Sequence, residues 1–321
     1  MTTPAFIDYE YGITAIDSGF LRPMCAAVHL VVEGGRAALI DTASHTSLSK
    51  VQAVLAARGL QASDIDWVLL THVHLDHAGA AGLYLQHFPQ ARLSVHPRGA
   101  RHMIDPSRLV AGTVAVYGED EARRMYGEIV PVPADRVVET PDGAEIALNG
   151  RHFRFLDTPG HARHHVCIVD ERSGHIFAGD TFGLSYRELD VDHSPSVFPS
   201  TTPVQFDPPA LHASIDRLLA QAPGAIYVTH FGQVREVQRC AEDLHRLIDA
   251  HVALAQACRA EGVTGPQRTQ RLCDGVRALV LEEAQRRQWP IEREALLALF
   301  DLDIRLNADG LVSWLEAPAR A

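Results

Sequence analysis

A run of potential metal ligands between residues 72 and 77 constrains this chain more than any other feature. Three histidines and one aspartate stand within six consecutive positions, as His72, His74, Asp76 and His77. Such a group would leave polar atoms unsatisfied in a core, or would crowd titratable groups together on a surface. A divalent metal resolves that conflict, because imidazole nitrogens and a carboxylate oxygen form a common ligand set for zinc. The run therefore predicts a metal site.

The segments on either side place this run on a turn between a strand and a helix. The preceding segment, 65–70, is short, apolar and bounded by polar residues, as expected for a buried strand. The following segment, 78–88, has small and apolar residues at helical spacing. The ligands are thus predicted to lie beyond the carboxyl end of a strand, where open α/β sheets usually form their sites.

Four ligands on one turn cannot all bind a single ion. Alternate residues of an extended segment face the same way, so His72 and His74 can share one metal ion. Asp76 and His77 would then face a second ion. Two ions need further ligands, which must come from other parts of the chain.

Three more candidate ligands each follow a short apolar segment that is predicted to be a strand: His161, Asp180 and His230. A single residue in such a place is most simply a capping or turn residue. Four strand ends that offer histidine or aspartate in one chain are improbable by chance. We therefore expect all of these residues to meet at one dinuclear site.

The ligand run and the three later residues resemble the ligand set of the metallo-β-lactamase superfamily, over roughly residues 12 to 235. In that family two histidines of the run and the residue matching His161 bind one ion. The aspartate and the last histidine of the run bind the other ion, together with the residue matching His230. The residue matching Asp180 bridges both ions. The resemblance is specific for the fold and the metal site, and weak for the substrate.

The resemblance implies an α/β fold, an αββα sandwich of two mixed β-sheets flanked by helices. Strand and helix signals alternate up to about residue 235, and only helical signals follow. We therefore predict a catalytic domain at 1–235 and a helical C-terminal segment at 236–321. Two roles for the helical segment stay open. It is either a packing and dimerisation element, which would make the protein a homodimer, or a cap that covers the metal site and shapes substrate choice.

Local patterns give the bounds of several elements. Apolar segments predict strands at 24–33 and 36–41, with a hairpin turn at Gly34-Gly35 between them. The segment 183–206 contains several prolines, including Pro203, and cannot form one regular element. Helical spacing in the C-terminal segment predicts three helices, over 239–260, 266–288 and 291–306.

Four further residues are candidates for orienting the ligands or contacting the substrate. Asp41 ends a strand that resembles the family's strand ending in Asp, which helps to orient the site. Two adjacent histidines, His164 and His165, either take such a role or are an exposed loop residue and the first residue of a strand over 165–170. Tyr186 lies in the Pro-rich segment and is a candidate substrate contact, because long loops are often functional.

Charge and hydropathy exclude several classes of partner. The formal charge is −11, from 29 basic and 40 acidic residues, and Lys50 is the only lysine. Such a chain would repel a phosphate backbone, so we expect no nucleic-acid partner. No apolar run has the length of a transmembrane helix, so we expect no membrane partner. The remaining class of partner is a small-molecule substrate.

The N-terminal residues and the cysteines predict a cytoplasmic protein. The segment Met1 to Glu10 lacks a charged region followed by an apolar stretch, so we expect neither a secretory peptide nor a secreted β-lactamase. The five cysteines are widely spread and include no Cys-x-x-Cys pair, which is typical of reduced thiols. None of them stands in the metal motifs, so thiolate-ligated sites are not expected.

These observations predict a metal-dependent hydrolase with two divalent ions. Zinc is the default ion for five histidines and two aspartates, although iron or manganese would tolerate the same ligands. A metal-bound hydroxide would attack a small ester, thioester or lactone. Asp76 is the expected catalytic residue, because it could orient that nucleophile and pass a proton to the leaving group.

Two alternatives stay open. One is an iron-containing oxygen- or sulfur-handling protein on the same fold, of the persulfide dioxygenase or diiron oxygen-binding type. Flavodiiron relatives usually carry glutamate at the position of His74 and a flavodoxin module, for which this chain has no room. The other alternative is a regulatory binder that keeps the metal ions without useful turnover.

Overall fold

The computed structural model describes residues 6–201 and 204–317, and Pro203 lies outside the described residues. The chain forms two compact units. Unit 1 has three segments, Met1–Asp157, His164–Gly179 and Pro223–Gln233. Unit 2 also has three segments, Thr158–Arg163, Asp180–Ala222 and Val234–Ala321. Among the described residues, no helix is both long and apolar enough to cross a membrane.

The first sheet of unit 1 has seven strands, whose order in the sheet is their order in the chain. They are β1 (Phe6–Asp8), β2 (Ile13–Asp17), β3 (Ala27–Glu33), β4 (Arg36–Ile40), β5 (Ile65–Leu69), β6 (Arg92–Val95) and β7 (Val137–Glu139). Neighbours from β1 to β4 are antiparallel, and neighbours from β4 to β7 are parallel. The predicted hairpin joins β3 and β4, where Glu33 pairs with Arg36.

The second sheet has six strands in the order β13-β12-β11-β10-β9-β8. They are β8 (Glu145–Leu148), β9 (Arg151–Asp157), β10 (Val166–Asp170), β11 (His175–Gly179), β12 (Ile226–Val228) and β13 (Gly232–Val234). Strands β8 to β11 pair antiparallel, whereas β11 and β12 pair parallel. Both sheets are therefore mixed.

Apolar side chains fill the space between the two sheets. One buried cluster takes residues from both of them, including Ile13, Val31, Ile40, Leu69, Phe153, Phe155, Ile168, Phe177 and Tyr227. Successive residues of a strand point to opposite faces, so the alternate residues Val28 and Leu30 of β3 belong to a second cluster on the outer face of the first sheet. Burial of such side chains contributes about 1.5–3 kcal/mol each.

Helices cover that outer face. Unit 1 contains α1 (Ser47–Ala57), α2 (Leu75–Ala78), α3 (Ala81–His87), α4 (Pro97–Ile104), α5 (Ser107–Tyr117) and α6 (Glu119–Tyr126). Helix α1 contributes Val51 and Leu55 to the outer cluster, and α3 contributes Tyr84 and Leu85. Two mixed sheets flanked by helices, with further helices toward the C-terminus, confirm the predicted fold class.

Unit 2 is helical. Its helices are α7 (Pro208–Leu219), α8 (Val237–Ala260), α9 (Gly265–Arg287), α10 (Arg293–Leu299) and α11 (Asp301–Glu316). Asp207 caps α7, because its carboxylate accepts a hydrogen bond from Ala210 N at 3.3 Å, and prolines occupy the first turn. Beyond Val234 only helices follow within the described residues. The division of the chain into domains 1–235 and 236–321 stays a prediction.

Two predictions of secondary structure were wrong. Strands β1 and β2 were missed because they are short, and because β2 is buried at every position and shows no alternation of polar and apolar residues. The single helix predicted over 291–306 is interrupted at Phe300, which leaves helical geometry between α10 and α11. The Phe300 ring stacks on Trp289 at 5.9 Å. No proline or glycine marks this break in the sequence.

A buried ion pair joins β9 and β10 of the second sheet. Arg151 is the largest fully buried side chain, and its Nε donates to Asp170 Oδ1 at 2.9 Å. The same guanidinium donates to the Tyr11 carbonyl oxygen at 2.6 Å, and a second guanidinium nitrogen donates to Asp170 Oδ2. Ser173 also donates to that carboxylate. The buried charges are therefore paired and fully hydrogen-bonded.

His251 in α8 gives unit 2 a defined response to acid. Its Nδ1 donates to the Leu247 carbonyl oxygen at 2.7 Å, and among the described residues its Nε2 has no hydrogen-bond partner. Burial lowers the pKa of His251 from 6.5 to about 4. Below pH 6.5 the unfolded chain takes up a proton at this residue, whereas the folded chain does not until about pH 4. The stability that neutral His251 contributes is therefore present above pH 6.5 and is lost as the pH falls toward 4.

We expect His251→Leu to reduce the loss of stability on acidification. Between pH 7 and pH 4 the wild type should lose about 3 kcal/mol more free energy of unfolding than the variant. Urea unfolding of both proteins at several pH values in this range measures the difference. Parallel curves for the two proteins would contradict the assigned role of His251.

Candidate metal site

The ligand run follows β5 at the carboxyl ends of two parallel strands, with His72 and His74 before α2 and with Asp76 and His77 inside it. Strand β4 leads into Asp41, whose backbone nitrogen donates to the Leu69 carbonyl oxygen of β5 at 2.9 Å. The backbone nitrogen of Thr42 then donates to the His77 carbonyl oxygen at 2.6 Å. Asp41 itself has a φ of 57°, in the left-handed region. The turn after β4 is thereby fixed against the ligand run.

The carboxylate of Asp41 holds four donor groups, which belong to Thr71, His77 and Thr229. It accepts hydrogen bonds from Thr71 N at 2.8 Å and from the Thr71 hydroxyl at 2.9 Å. It also accepts from the Thr229 hydroxyl at 2.9 Å and from His77 Nδ1 at 2.8 Å. All four residues are buried. Asp41 therefore fixes the orientation of the His77 ring, and its predicted role in metal binding stays a prediction.

Thr71 also orients a second histidine, His72. Its hydroxyl hydrogen is donated to Asp41, so its oxygen accepts from His72 Nδ1 at 3.2 Å. The proton on His72 then lies at Nδ1, and Nε2 carries the lone pair. His72 Nε2 lies 3.0 Å from His74 Nδ1.

Asp76, His77 and His230 form a compact group within unit 1. The ligand atoms of the three residues lie within 4.8 Å of one another. Asp76 Oδ2 is 3.4 Å from His230 Nε2 and 3.8 Å from His77 Nε2. His230 follows β12 closely and is held at its other nitrogen, Nδ1, which lies 2.8 Å from the Cys25 carbonyl oxygen.

This arrangement fits a bound cation. His77 Nδ1 faces a carboxylate and His230 Nδ1 faces a carbonyl oxygen, and both of these groups only accept hydrogen bonds. In the neutral rings each Nδ1 therefore carries the proton and each Nε2 carries a lone pair. Both Nε2 atoms lie toward the Asp76 carboxylate. Two imidazole lone pairs and a carboxylate in one volume are a donor set that zinc, iron and manganese bind.

Unit 2 contains a second pair of predicted ligands with the same pattern. His161 Nε2 is 3.6 Å from Asp180 Oδ2, and His161 Nδ1 is 3.3 Å from the Ser200 carbonyl oxygen. Gly160 precedes this histidine with a φ of 132°, and a Cβ atom there would lie 2.4 Å from the Leu211 backbone nitrogen. The turn before His161 thus requires glycine, both for its backbone conformation and for the close approach of α7.

His164 and His165 are both buried, so the expectation of an exposed loop histidine was wrong. The His165 ring stacks on His72 at 4.9 Å, and the His164 ring stacks on the same residue at 6.2 Å. Gly179 allows this packing, because a Cβ atom there would lie 2.7 Å from His165 Nε2. Both histidines therefore pack against a candidate ligand, while strand β10 begins one residue later than predicted.

Two contacts of Tyr186 lie within unit 2. Its hydroxyl donates to Asp303 Oδ2 of α11 at 3.0 Å, and its ring packs edge-on against Phe300 at 5.6 Å. These contacts join the Pro-rich segment to the C-terminal helices. A contact of Tyr186 with substrate stays a prediction.

The predicted site residues thus form two groups, one in each unit. Unit 1 brings together His72, His74, Asp76, His77 and His230, with Asp41, His164 and His165 around them. Unit 2 brings together His161 and Asp180. A single dinuclear site made from both groups stays a prediction.

Sequence reasoning missed Thr71 and Thr229, although both donate to Asp41. The signal was available, because each threonine directly precedes a candidate ligand histidine at the end of an apolar segment. In the structure the two hydroxyls share the Asp41 carboxylate as their acceptor. The Cys25 carbonyl oxygen, in contrast, contacts His230 from a loop and carries no such signal.

We expect Asp41→Asn to weaken metal binding about 10–100-fold without unfolding the protein. The amide oxygen can still accept from Thr71, but the amide nitrogen would donate to His77 Nδ1 and place the proton on Nε2. Competition with a chromogenic chelator measures the affinity, and circular dichroism checks the fold. Thr229→Val is the matched control, because it removes one donor to Asp41 and leaves the proton position of His77 unchanged. Equal affinities in Asp41→Asn and the wild type would contradict the orienting role.

Comparisons with known proteins bear on this site. The family model described as the Metallo-beta-lactamase superfamily matches residues 26–237. The metallo-beta-lactamase fold-containing protein ST1585 of Sulfurisphaera tokodaii is 29% identical over 175 residues, 53% of this chain and 62% of that protein. A hydroxyacylglutathione hydrolase of Xanthomonas campestris pv. campestris is 29% identical over 179 residues, 56% of this chain and 51% of that protein. The chain thus spans between half and two thirds of the length of these curated relatives.

Two solved structures are similar in fold. The crystal structure of ST1585 has a TM-score of 0.60 at 22% identity and covers 89% of this chain and 98% of that chain. A peroxy diiron species of the chemotaxis sensor ODP has a TM-score of 0.52 at 16% identity and covers 75% of this chain and 93% of that chain. At these identities the likeness shows the fold alone.

Proposed function

Because this chain belongs to the metallo-β-lactamase superfamily, we propose that it is a hydrolase of a small ester, thioester or lactone that depends on two divalent metal ions. The observation that carries the proposal is the group formed by Asp76, His77 and His230. Each of its histidines has one nitrogen fixed by an acceptor and the other turned toward a carboxylate. The relative that hydrolyses hydroxyacylglutathione supports a hydrolytic reaction.

The ligands of the two ions follow from this proposal. One ion would be held by His72, His74 and His161. The other ion would be held by Asp76, His77 and His230, with Asp180 shared between the two. When bound, the ions would lower the pKa of water and polarise the carbonyl of the substrate. Zinc is the default ion for these imidazole and carboxylate groups, and iron or manganese would tolerate the same ligands.

Asp76 is the residue that we assign to proton transfer. Its side chain is 26% exposed, whereas the side chain of His77 is fully buried, so substrate and water can reach the aspartate. The carboxylate would orient the attacking water and accept its proton as the new bond to the carbonyl carbon forms. It would then return the proton to the oxygen or sulfur of the leaving group as the old bond breaks. The hydroxyl group of the water thereby ends in the acid, and its proton ends in the alcohol or thiol group.

A second candidate function is the handling of oxygen or sulfur by an iron-loaded form. The observation in its favour is the fold shared with the diiron form of ODP. The hydrolytic function is preferred because flavodiiron relatives usually carry glutamate at the position of His74. In this chain Nδ1 of His74 lies 3.0 Å from Nε2 of His72, so the pair consists of two imidazole rings.

Metal analysis combined with a substrate panel tests the proposal. We expect about two zinc ions per chain, hydrolysis of ester or thioester substrates, and loss of activity with a chelator that zinc restores. His230→Ala should lower the metal content, whereas His87→Ala, an exposed histidine of α3, should not. Iron with visible absorbance, in a protein that hydrolyses none of these substrates, would reject the hydrolase and favour the second candidate.

A further inference from the structure

A cavity of about 670 Å³ lies beside the candidate metal site, within unit 1. Most of its lining is apolar: Leu75, Val110, Val114, Ala122, Tyr126 and Ile129. The volume is within the range of pockets that bind small ligands. Charged residues also line it, and two of them, Glu119 and Arg123, are largely exposed and lie 3.8 Å apart as an ion pair. The cavity therefore combines an apolar interior with a charged rim.

Helix α5, which forms one side of the cavity, is unusual for an apolar helix. Its sequence from Leu109 to Tyr117 is rich in valine and alanine, yet none of its residues is buried. Val110 and Val116 are 36% and 55% exposed. Apolar surface of this kind on a soluble protein often marks a binding site. Leu109 and Tyr117 of α5 pack against buried clusters, whereas Val110 and Val114 line the cavity.

The opposite side of the cavity is shared with the metal site. Leu75 directly precedes Asp76, and it belongs to a buried cluster with Phe20, Cys25 and Tyr126. The Tyr126 ring stacks on Phe20 at 5.6 Å, and the Cys25 carbonyl oxygen holds Nδ1 of a candidate ligand, as described above. Burial, and next the nearby Asp76 carboxylate, raise the pKa of the Tyr126 hydroxyl well above its usual range. Leu75 and Tyr126 thus line the cavity and also lie close to Asp76, the proton-transfer residue.

We propose that this cavity binds an apolar acyl arm of the substrate, so that medium-chain acyl esters, thioesters or lactones are the substrate class. The proposal rests on the proposed hydrolytic function. An arm in the cavity would cover Leu75 and Val114 and would leave the scissile carbonyl near Asp76. Each buried methylene should strengthen binding about fourfold, so an octanoyl substrate whose six additional methylenes are all buried should exceed an acetyl substrate by on the order of 10³-fold in kcat/KM.

Val114→Trp tests this assignment, because Val114 lines the cavity and is not among the residues of α5 that pack against the buried clusters. Val116→Trp is the matched control, since Val116 is on the same helix but does not line the cavity. We expect Val114→Trp to lower kcat/KM for p-nitrophenyl octanoate at least 10-fold and to leave p-nitrophenyl acetate within twofold. The control variant, Val116→Trp, should have the same kcat/KM as the wild type for both esters.

Calorimetric binding of octanoate to the chelator-treated protein separates the cavity from catalysis. Octanoate binding in the wild type and in Val116→Trp, but not in Val114→Trp, supports the proposal even if no ester is hydrolysed, in which case the hydrolytic function alone fails. Octanoate binding that is equal in both variants, or hydrolysis of both esters at equal rates in all three proteins, overturns the cavity assignment. Self-association of the wild type that both variants abolish, with octanoate binding unchanged, would instead make α5 an interface and also overturn it.

Discussion

Asp76→Ala is expected to lower kcat for ester or thioester hydrolysis by about 10²–10⁴-fold, while the protein keeps at least one of its two metal ions. The change removes a ligand from the group with His77 and His230, and it removes the acceptor for the proton of the attacking water. Kinetics and metal content must be measured on the same preparation, because lost metal and lost proton transfer have different signatures. A large fall in kcat at nearly full metal content identifies proton transfer as the main loss.

Two control variants accompany this measurement. Asp76→Asn keeps an oxygen for metal binding but cannot carry the proton, so we expect its metal content to exceed that of Asp76→Ala while its kcat stays low. Asp135→Ala removes an exposed aspartate of the same unit and should change neither quantity. Full activity of Asp76→Ala at unchanged metal loading would remove the role assigned to this residue.

The largest effect on stability is expected from Arg151→Met. The change leaves Asp170 as a buried carboxylate without its ionic partner, and the Tyr11 carbonyl oxygen without its donor. Breaking a buried ion pair in this way costs about 3–5 kcal/mol. Chemical unfolding, followed by circular dichroism, measures the change in the free energy of unfolding.

Two further variants check the cause of that loss. In Arg151→Met/Asp170→Leu no buried charge is left alone, so we expect the double variant to recover a large part of the stability. Arg305→Met breaks an exposed pair with Asp301, whose atoms are 2.8 Å apart, and should leave the unfolding midpoint nearly unchanged. A double variant less stable than Arg151→Met would show that lost packing, and not an unpaired charge, causes the effect.

The fold could be predicted where a local pattern extends over enough residues. Helix α1 and the hairpin between β3 and β4 each follow from spacing and turn residues that lie within one segment. Strands β1 and β2 could not be predicted in this way, since β1 has three residues and β2 is buried throughout. A strand that is covered on both faces carries no alternation by which the sequence reveals it.

The ligand residues of the candidate site could be predicted from the sequence, whereas the hydrogen bonds that fix them could not. The ligand run and the later candidates could be identified because each stands at the end of an apolar strand, where side chains converge on one edge. The bonds that fix the ligands could not be identified, because they join distant positions. Thr229 and Asp41 are 188 residues apart in sequence, and Cys25 and His230 are 205 apart. Only the folded chain brings these atoms together.

The cavity beside α5 could be predicted only in part from the sequence. Three short helices, α4, α5 and α6, follow β6 in the structure. That Val110, Thr113 and Val114 line a cavity could not be read from the composition of α5, because an apolar helix usually indicates burial in a core. Only the structure shows that no residue of α5 is buried in a core.

The hydrogen bonds around Asp41 also bear on how the protein acquires its metal. Thr71, Thr229 and His77 all donate to this carboxylate, so the folded chain itself orients the His77 ring. A site prepared in this way accepts whichever suitable divalent ion is abundant when the chain folds. The growth medium therefore becomes an experimental variable. Protein from zinc-rich and iron-rich cultures should be compared before either metal is regarded as native.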